Sequence, residues 1–265
     1  MNGVMPPGVE NPLVFSAISA GIGAIVGSFL GVVCERVPGM VLGSAGRENL
    51  WLPGSHCPQC GHTLAWWENI PLLSWCLLGG RCRQCRNAIP LRLLMVELLS
   101  ALFFAASSGF FPTVSGWLPL WILWCGLLPL AMIDSRHMLL PDCLTQPLLW
   151  AGLLTHAVFH TLPVTDALFG AAAGYAALWL IYQLFRLSTG REGLGYGDIK
   201  LLAALGAWCG WQVLPLVLLS GAILGIIGYF VLYKPDNASR QIPFGPFLSC
   251  AGIGVFILQS AHIAI

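Results

Sequence analysis

Apolar runs long enough to cross a hydrocarbon layer recur from residue 13 almost to the end of this 265-residue sequence. A layer about 30 Å thick takes about 20 helical residues at 1.5 Å each, and a single water-soluble core has no need of several such runs. Hydrophobic residues make up 57% of the chain and charged residues 9%, with a mean hydropathy of +0.79. The bilayer is therefore the solvent in which the fold has to be argued. The expected architecture is an all-α polytopic membrane protein with about eight transmembrane helices, at residues 13–33, 93–111, 117–134, 143–161, 164–186, 199–210, 212–232 and 244–262. The shortest, 199–210, is bounded by glycine and is expected to stop partway and turn at Cys209 to Trp211.

Residues 34–92 interrupt this pattern as the one substantial polar insertion, placed after the first helix. They are expected to form a small cytoplasmic domain, with 93–265 as the membrane domain. Basic residues set the orientation, because Lys and Arg accumulate in short cytoplasmic loops. All twelve lie in or beside alternate loops: Arg36, Arg47, Arg81, Arg83, Arg86, Arg92, then Arg136, Arg186, Arg191, Lys200, Lys234 and Arg240. No basic residue precedes Leu13–Val33, whereas Arg36 and Arg47 follow it, the reverse of a cleaved signal peptide. The first run reads as a retained helix with its N-terminus outside. A net charge of +1 spread this thinly gives no phosphate-binding face, so a nucleic-acid partner is not expected.

The polar insertion carries Cys57-Pro-Gln-Cys60 and Cys82-Arg-Gln-Cys85, two CxxC turns separated by 21 residues. Each such turn aims two thiolates at one ion, and two together suit tetrahedral zinc. A redox dithiol and an iron–sulfur cluster are the alternatives, and structural disulfides fit a reducing compartment less well. His56 and His62 stand beside the first pair as bystanders. The other six cysteines are isolated and read as small apolar packing residues.

Catalytic chemistry has to come from ionisable groups held near the membrane, where an acid is costly and so is a functional candidate by default. Four qualify: Glu97, Asp134, Asp142 and Asp198. Asp134 closes the apolar run LLPLAMI, and Asp198 closes Gly195-Tyr196-Gly197-Asp198 just before another. Both are expected at the cytoplasmic end of a span. Two carboxylates at one level can share a proton, so that one activates water while the other protonates a scissile carbonyl. Two other classes compete with this reading. In a transporter the same aspartates would relay protons or bind a cation, and in a zinc-domain scaffold they would have no catalytic role. His156 and His160, at i and i+4, would suit a metal but lack the glutamate of a zincin motif.

The sequence resembles the type IV prepilin peptidases, GxGD-type membrane aspartyl proteases that act as prepilin leader peptidase and N-methyltransferase. The resemblance rests on GSFLGVVCERVP at 27–38, CPQCGH at 57–62, ENIPLLSW at 68–75, GGRCRQC at 79–85, IDSRHMLLPD at 133–142 and GYGDIKLLAALGAW at 195–208. It implies that Asp134 and Asp198 are the catalytic pair and that Asp142 is structural or substrate-positioning. It implies an inner-membrane enzyme that removes the basic leader of prepilins or pseudopilins after a glycine, on the cytoplasmic side. It also implies methylation of the new N-terminus with S-adenosylmethionine, a step to which Gly80, with Arg81 beside it, and Glu97 are linked. NAIPLRLLMVELL at 87–99 departs from the family, which more often has a Tyr-Pro there.

Overall fold

The computed structural model describes residues 11–43, 49–191, 193, 195–232 and 242–263. Of the charges counted above, Arg47, Lys234 and Arg240 lie outside the described residues. Apart from two isolated bridges, no strand occurs among the described residues, and the chain is helical throughout its ordered elements. Two compact units divide it, one reaching Trp117 and the other beginning at Leu118.

The first unit is built on a helix pair. Helix α1, Pro12–Val41, starts where Asn11 accepts the Leu13 N–H at 3.0 Å and proline occupies the first turn. It packs lengthwise on α3, Leu91–Phe110. Close approach is possible because α1 presents glycine to the partner: a Cβ on Gly27 would lie 2.8 Å from the Cα of Glu97. The helix reaches Val41 rather than ending at Val33, because its polar last turns stay attached to α3. Glu35 there accepts two bonds from the Arg92 guanidinium, at 2.7 and 3.1 Å. Between the two helices in sequence lie the cysteine turns, a 3-10 turn at Trp66–Asn69 and the short α2, Leu73–Leu77.

The second unit holds most of α4, Val114–His137, then α5, Asp142–Phe159, α6, Val164–Thr189, α7, Tyr196–Cys209, α8, Leu214–Leu232, and α9, Gly245–Ile263. Helix α7 is its centre and packs against α5, α6, α8 and α9. All of Ile199–Cys209 is buried except Lys200. Its 14 residues span only about 21 Å, and Gly210, at a φ of 79°, turns the chain out of the helix. A helix enclosed by others can be short, since it need not meet lipid along its length.

Five helices are long and apolar enough to cross a membrane: α1, α3, α4, α6 and α8. In α9 the apolar stretch Gly245–Ala261 is shorter. Helix α5 carries Asp142, Gln146 and His156 and is less apolar, and α7 is too short.

Candidate active site and metal centre

Asp134 occupies the last turn of α4, with 6% of its surface exposed. Its Oδ2 accepts the backbone N–H of Gly245 at 2.9 Å, at the start of α9. Only glycine fits there: an added Cβ would sit 2.7 Å from that same oxygen. Asp198 lies in the first turn of α7, 9% exposed, with its N–H bonded to the Gly195 carbonyl at 3.2 Å. Asp198 Oδ1 is buried and has no hydrogen-bond partner among the described residues.

The two glycines before Asp198 each make room. A Cβ on Gly195 would come within 3.0 Å of Asp198 Oδ2, and one on Gly197 within 2.6 Å of the Leu140 Cβ. Gly197 therefore receives the turn that leads from Asp134 to Asp142. The entry to α7 is pinned from the other side by Tyr196, edge-on to Tyr182 of α6 at 5.3 Å. Asp142, at the head of α5, is bound by Lys200 of α7, whose Nζ reaches both carboxylate oxygens at 2.6 and 2.8 Å. That pairing ties the two motifs together beside the aspartates, with Asp142 as a strut.

His156 and His160 do not form a metal pair. The Nε2 of His156 meets the Trp208 carbonyl at 2.9 Å and its Nδ1 meets the Thr161 hydroxyl at 2.7 Å. A carbonyl only accepts, so Nε2 carries the proton and the ring joins α5 to α7. His160 is exposed and ends α5 in the left-handed conformation.

The four predicted cysteines converge in the first unit. Their ligand atoms all lie within 4.8 Å of one another, with Cys57 and Cys85 sulfurs 3.8 Å apart and those of Cys60 and Cys82 3.9 Å apart. A tetrahedral site with Zn–S near 2.3 Å has edges of about 3.8 Å, whereas a disulfide would need about 2.05 Å. The cluster fits a metal ion. It is built from two copies of one turn. Cys57 N–H bonds to the His62 carbonyl and Cys82 N–H to that of Asn87, each closed by a bridge, His56 to Thr63 and Arg81 to Ala88. Backbone amides of Cys60 and Gln59 pull the Cys57 thiol down to about 7, and those of Cys85 and Gln84 likewise lower Cys82. The thiolate, the form that binds metal, is thus favoured at Cys57 and Cys82 before any ion arrives, whereas Cys60, although the His62 backbone amide acts to lower it, is pushed up to about 11 by burial and by the sulfurs of Cys85, Cys57 and Cys82. Around the turns, Glu68 is held below the usual carboxylate range by the Ala65 N–H and by His62, and Arg83 stacks on Trp67 at 5.1 Å.

Gly80, Arg81 and Glu97 all make contacts to the α2 hairpin, Arg81 by its N–H to the Leu78 carbonyl at 3.3 Å. Glu97 Oε2 accepts the Leu72 N–H at 2.9 Å and fixes a residue whose φ is 62°. Gly80, at a φ of 67°, closes the other end by bonding to the Trp75 carbonyl at 2.8 Å. A Cβ there would strike the Trp75 ring at 2.7 Å. Two residues of the aspartate region escaped the sequence reading. Lys200 was counted only as a charge. Gly245 stands 111 positions from Asp134, and the sole local signal was a Pro-Phe-Gly-Pro run opening an apolar stretch.

Residues 22–111 match the Bacterial Peptidase A24 N-terminal domain, and residues 120–231 match the Type IV leader peptidase family. A prepilin leader peptidase/N-methyltransferase of Stutzerimonas stutzeri is 44% identical over 264 residues, covering 92% of this chain and 90% of the relative. One of Aeromonas salmonicida is 46% identical over 248 residues, covering 86% and 85%. A third, of Burkholderia pseudomallei, is 40% identical over 268 residues, covering 94% and 85%. No solved structure matches the chain.

Proposed function

The chain belongs to the type IV leader peptidase family, and from that membership we propose that it removes the leader of a prepilin or pseudopilin after a glycine, with Asp134 and Asp198 as the catalytic pair. The observation that carries this reading is a pair of buried carboxylates at helix ends, Asp134 held by the Gly245 N–H and Asp198 with an Oδ1 that has no hydrogen-bond partner among the described residues. A carboxylate oxygen is not left without a hydrogen bond in a site that excludes solvent unless something else supplies one. In the proposed reaction a shared proton and a hydrolytic water would supply it. One aspartate takes a proton from that water as its oxygen attacks the scissile carbonyl carbon, while the other gives its proton to the carbonyl oxygen. Collapse of the tetrahedral adduct breaks the C–N bond, and the proton taken from water passes to the departing amine. The Gly245 N–H holds one oxygen of Asp134 in place, leaving the other to face the substrate.

The proposed setting is the inner membrane, crossed eight times, with the N-terminus outside and the cysteine turns and both aspartates on the cytoplasmic side. This follows from the distribution of Lys and Arg, and it puts the pair where a basic leader stays. Residues 13–33 would form the first span, 34–92 the polar domain and 93–265 the protease domain. Zinc is the metal proposed for Cys57, Cys60, Cys82 and Cys85, on the sulfur spacing. S-adenosylmethionine, when bound, supplies a methyl group: an N–C bond forms as the S–C bond breaks, the thioether leaves and the amine releases a proton to water. Gly80, Arg81 and Glu97 would serve this step by holding the α2 hairpin in shape.

Co-expression with a type IV prepilin or pseudopilin tests the reading. The mass of the substrate's N-terminal peptide is expected to show leader loss and one added methyl group with the native chain. Asp134→Asn and Asp198→Asn should each leave the leader uncut. Processing by either variant would overturn the two-carboxylate mechanism.

A further inference from the structure

An open cleft of about 550 Å³ lies in the first unit, between one face of α1 and the segments 50–55 and 69–71. That volume is in the range of small-molecule sites. Both facing segments are held by charged side chains of the helix pair. On one side Arg36 donates to the Asn49 carbonyl at 2.7 Å, while Asn49 Oδ1 accepts the N–H groups of Trp51 and Leu52 at 2.9 and 2.7 Å. Trp51 lies in this hydrogen-bonded turn, 78% exposed, with its ring 6.1 Å from that of Phe29 on α1. On the other side Glu97 grips Leu72, directly after the lining residues Asn69, Ile70 and Pro71.

We propose that this cleft is the S-adenosylmethionine site, an assignment that rests on the methyl-transfer reading above. Its lining offers groups that suit the purine, the sulfonium, the carboxylate and the ribose of that molecule. The exposed indole face suits the purine. The aromatic pair Trp51 and Phe29 attracts a sulfonium cation. Arg36, with guanidinium N–H groups beyond the one given to Asn49, suits the carboxylate. Asn69 and Ser55 offer polar groups for the ribose. The lining then continues along α1 to Ile25, at membrane depth on the proposed topology, where a hydrophobic helix would present its new N-terminal amine. Glu97 is on this account a positioning residue, which supports the wall rather than the ligand.

The test uses the full-length chain in lipid nanodiscs. Labelled S-adenosylmethionine, crosslinked by ultraviolet light, is expected to mark peptides within 25–36 or 49–55. Trp51→Ala and Arg36→Ala should each weaken equilibrium binding about tenfold, near the upper range of one cation–π or charge-assisted contact, whereas Trp51→Phe retains most of it. S-adenosylhomocysteine, which lacks the positive charge, should lose less than S-adenosylmethionine in Trp51→Ala. Bound zinc reports that each variant's polar segment is folded. Unchanged affinity in both alanine variants with zinc retained, or a label on 79–97 instead, would overturn the site and leave the methyl-transfer reading standing. A native chain that binds no S-adenosylmethionine and yields an unmethylated product would overturn that reading and the site with it.

Discussion

A single backbone N–H orients Asp134, and the residue that provides it has no side chain to lose. Gly245→Ala would set a methyl group 2.7 Å from Asp134 Oδ2, so the carboxylate or the start of α9 has to shift. Displacements of about 1 Å at reacting groups cost about 10²-fold in rate. Leader removal by Gly245→Ala in detergent is therefore expected to fall by about that factor while the helices keep their melting temperature; native-like cleavage would show that the contact does not position the carboxylate. Lys200 and Asp142 make the opposite case. Their side chains are 29% and 61% exposed, and exposed pairs contribute about 0–1 kcal/mol. Lys200→Met should lower the melting temperature by only a few degrees, and a loss of cleavage far larger than that would assign Lys200 a part in the chemistry. Asp198 was identifiable as a candidate from the two glycines before it, but their separate uses, clearing its own carboxylate and admitting Leu140, depend on neighbours the motif does not contain.

At the scale of elements, α7 depends on glycine where α6 crosses it. Gly170 and Gly206 touch backbone to backbone, and a Cβ on Gly174 would lie 2.6 Å from the Leu202 carbonyl oxygen. Gly170 and Gly174 form a small-xxx-small pair of the kind that lets membrane helices approach closely, a signal present in the sequence but masked there by the apolar run around it. Gly170→Leu is expected to destabilise the chain by about 3 kcal/mol or more, since overpacking against rigid backbone has no side chain to yield. Gly254→Ala, which meets nothing within 4 Å, should be neutral or slightly stabilising through helix propensity. Thermal denaturation of the two side by side checks this. The cysteine turns predict one zinc per chain by elemental analysis. Cys57→Ser and Cys82→Ser should each lose it, and a strong chelator should open residues 49–89 to protease, because metal binding there is folding free energy. Methylation should fail in these variants before cleavage does.

For the whole molecule, the charge pattern predicts which loops face which compartment. Alkaline phosphatase fused after residue 112 or 162 should be active, and fused after 139 or 191 inactive; the reverse would invert the proposed topology and put both aspartates on the wrong side. Among the described residues, α1 and α3 to α9 lie over the predicted apolar runs, because a run's period, length and bounding glycines or prolines are local properties that a sequence displays directly. Five meet the length and composition of a span on their own. For α5 and α7 the pattern was ambiguous, since a helix buried among others needs neither full length nor uniform apolarity. The same locality made the four thiols readable, as each CxxC turn carries its own geometry. What the sequence alone determined was thus the solvent of the chain, its helices, the four cysteines that converge and the two acids with reason to act together. The tertiary structure decided which groups meet them: the Gly245 amide on Asp134, Lys200 on Asp142, Glu97 on the α2 hairpin and Trp208 on His156. Those contacts join positions 25 to 111 residues apart, and they follow from how helices pack against one another, on which the local pattern of residues says nothing.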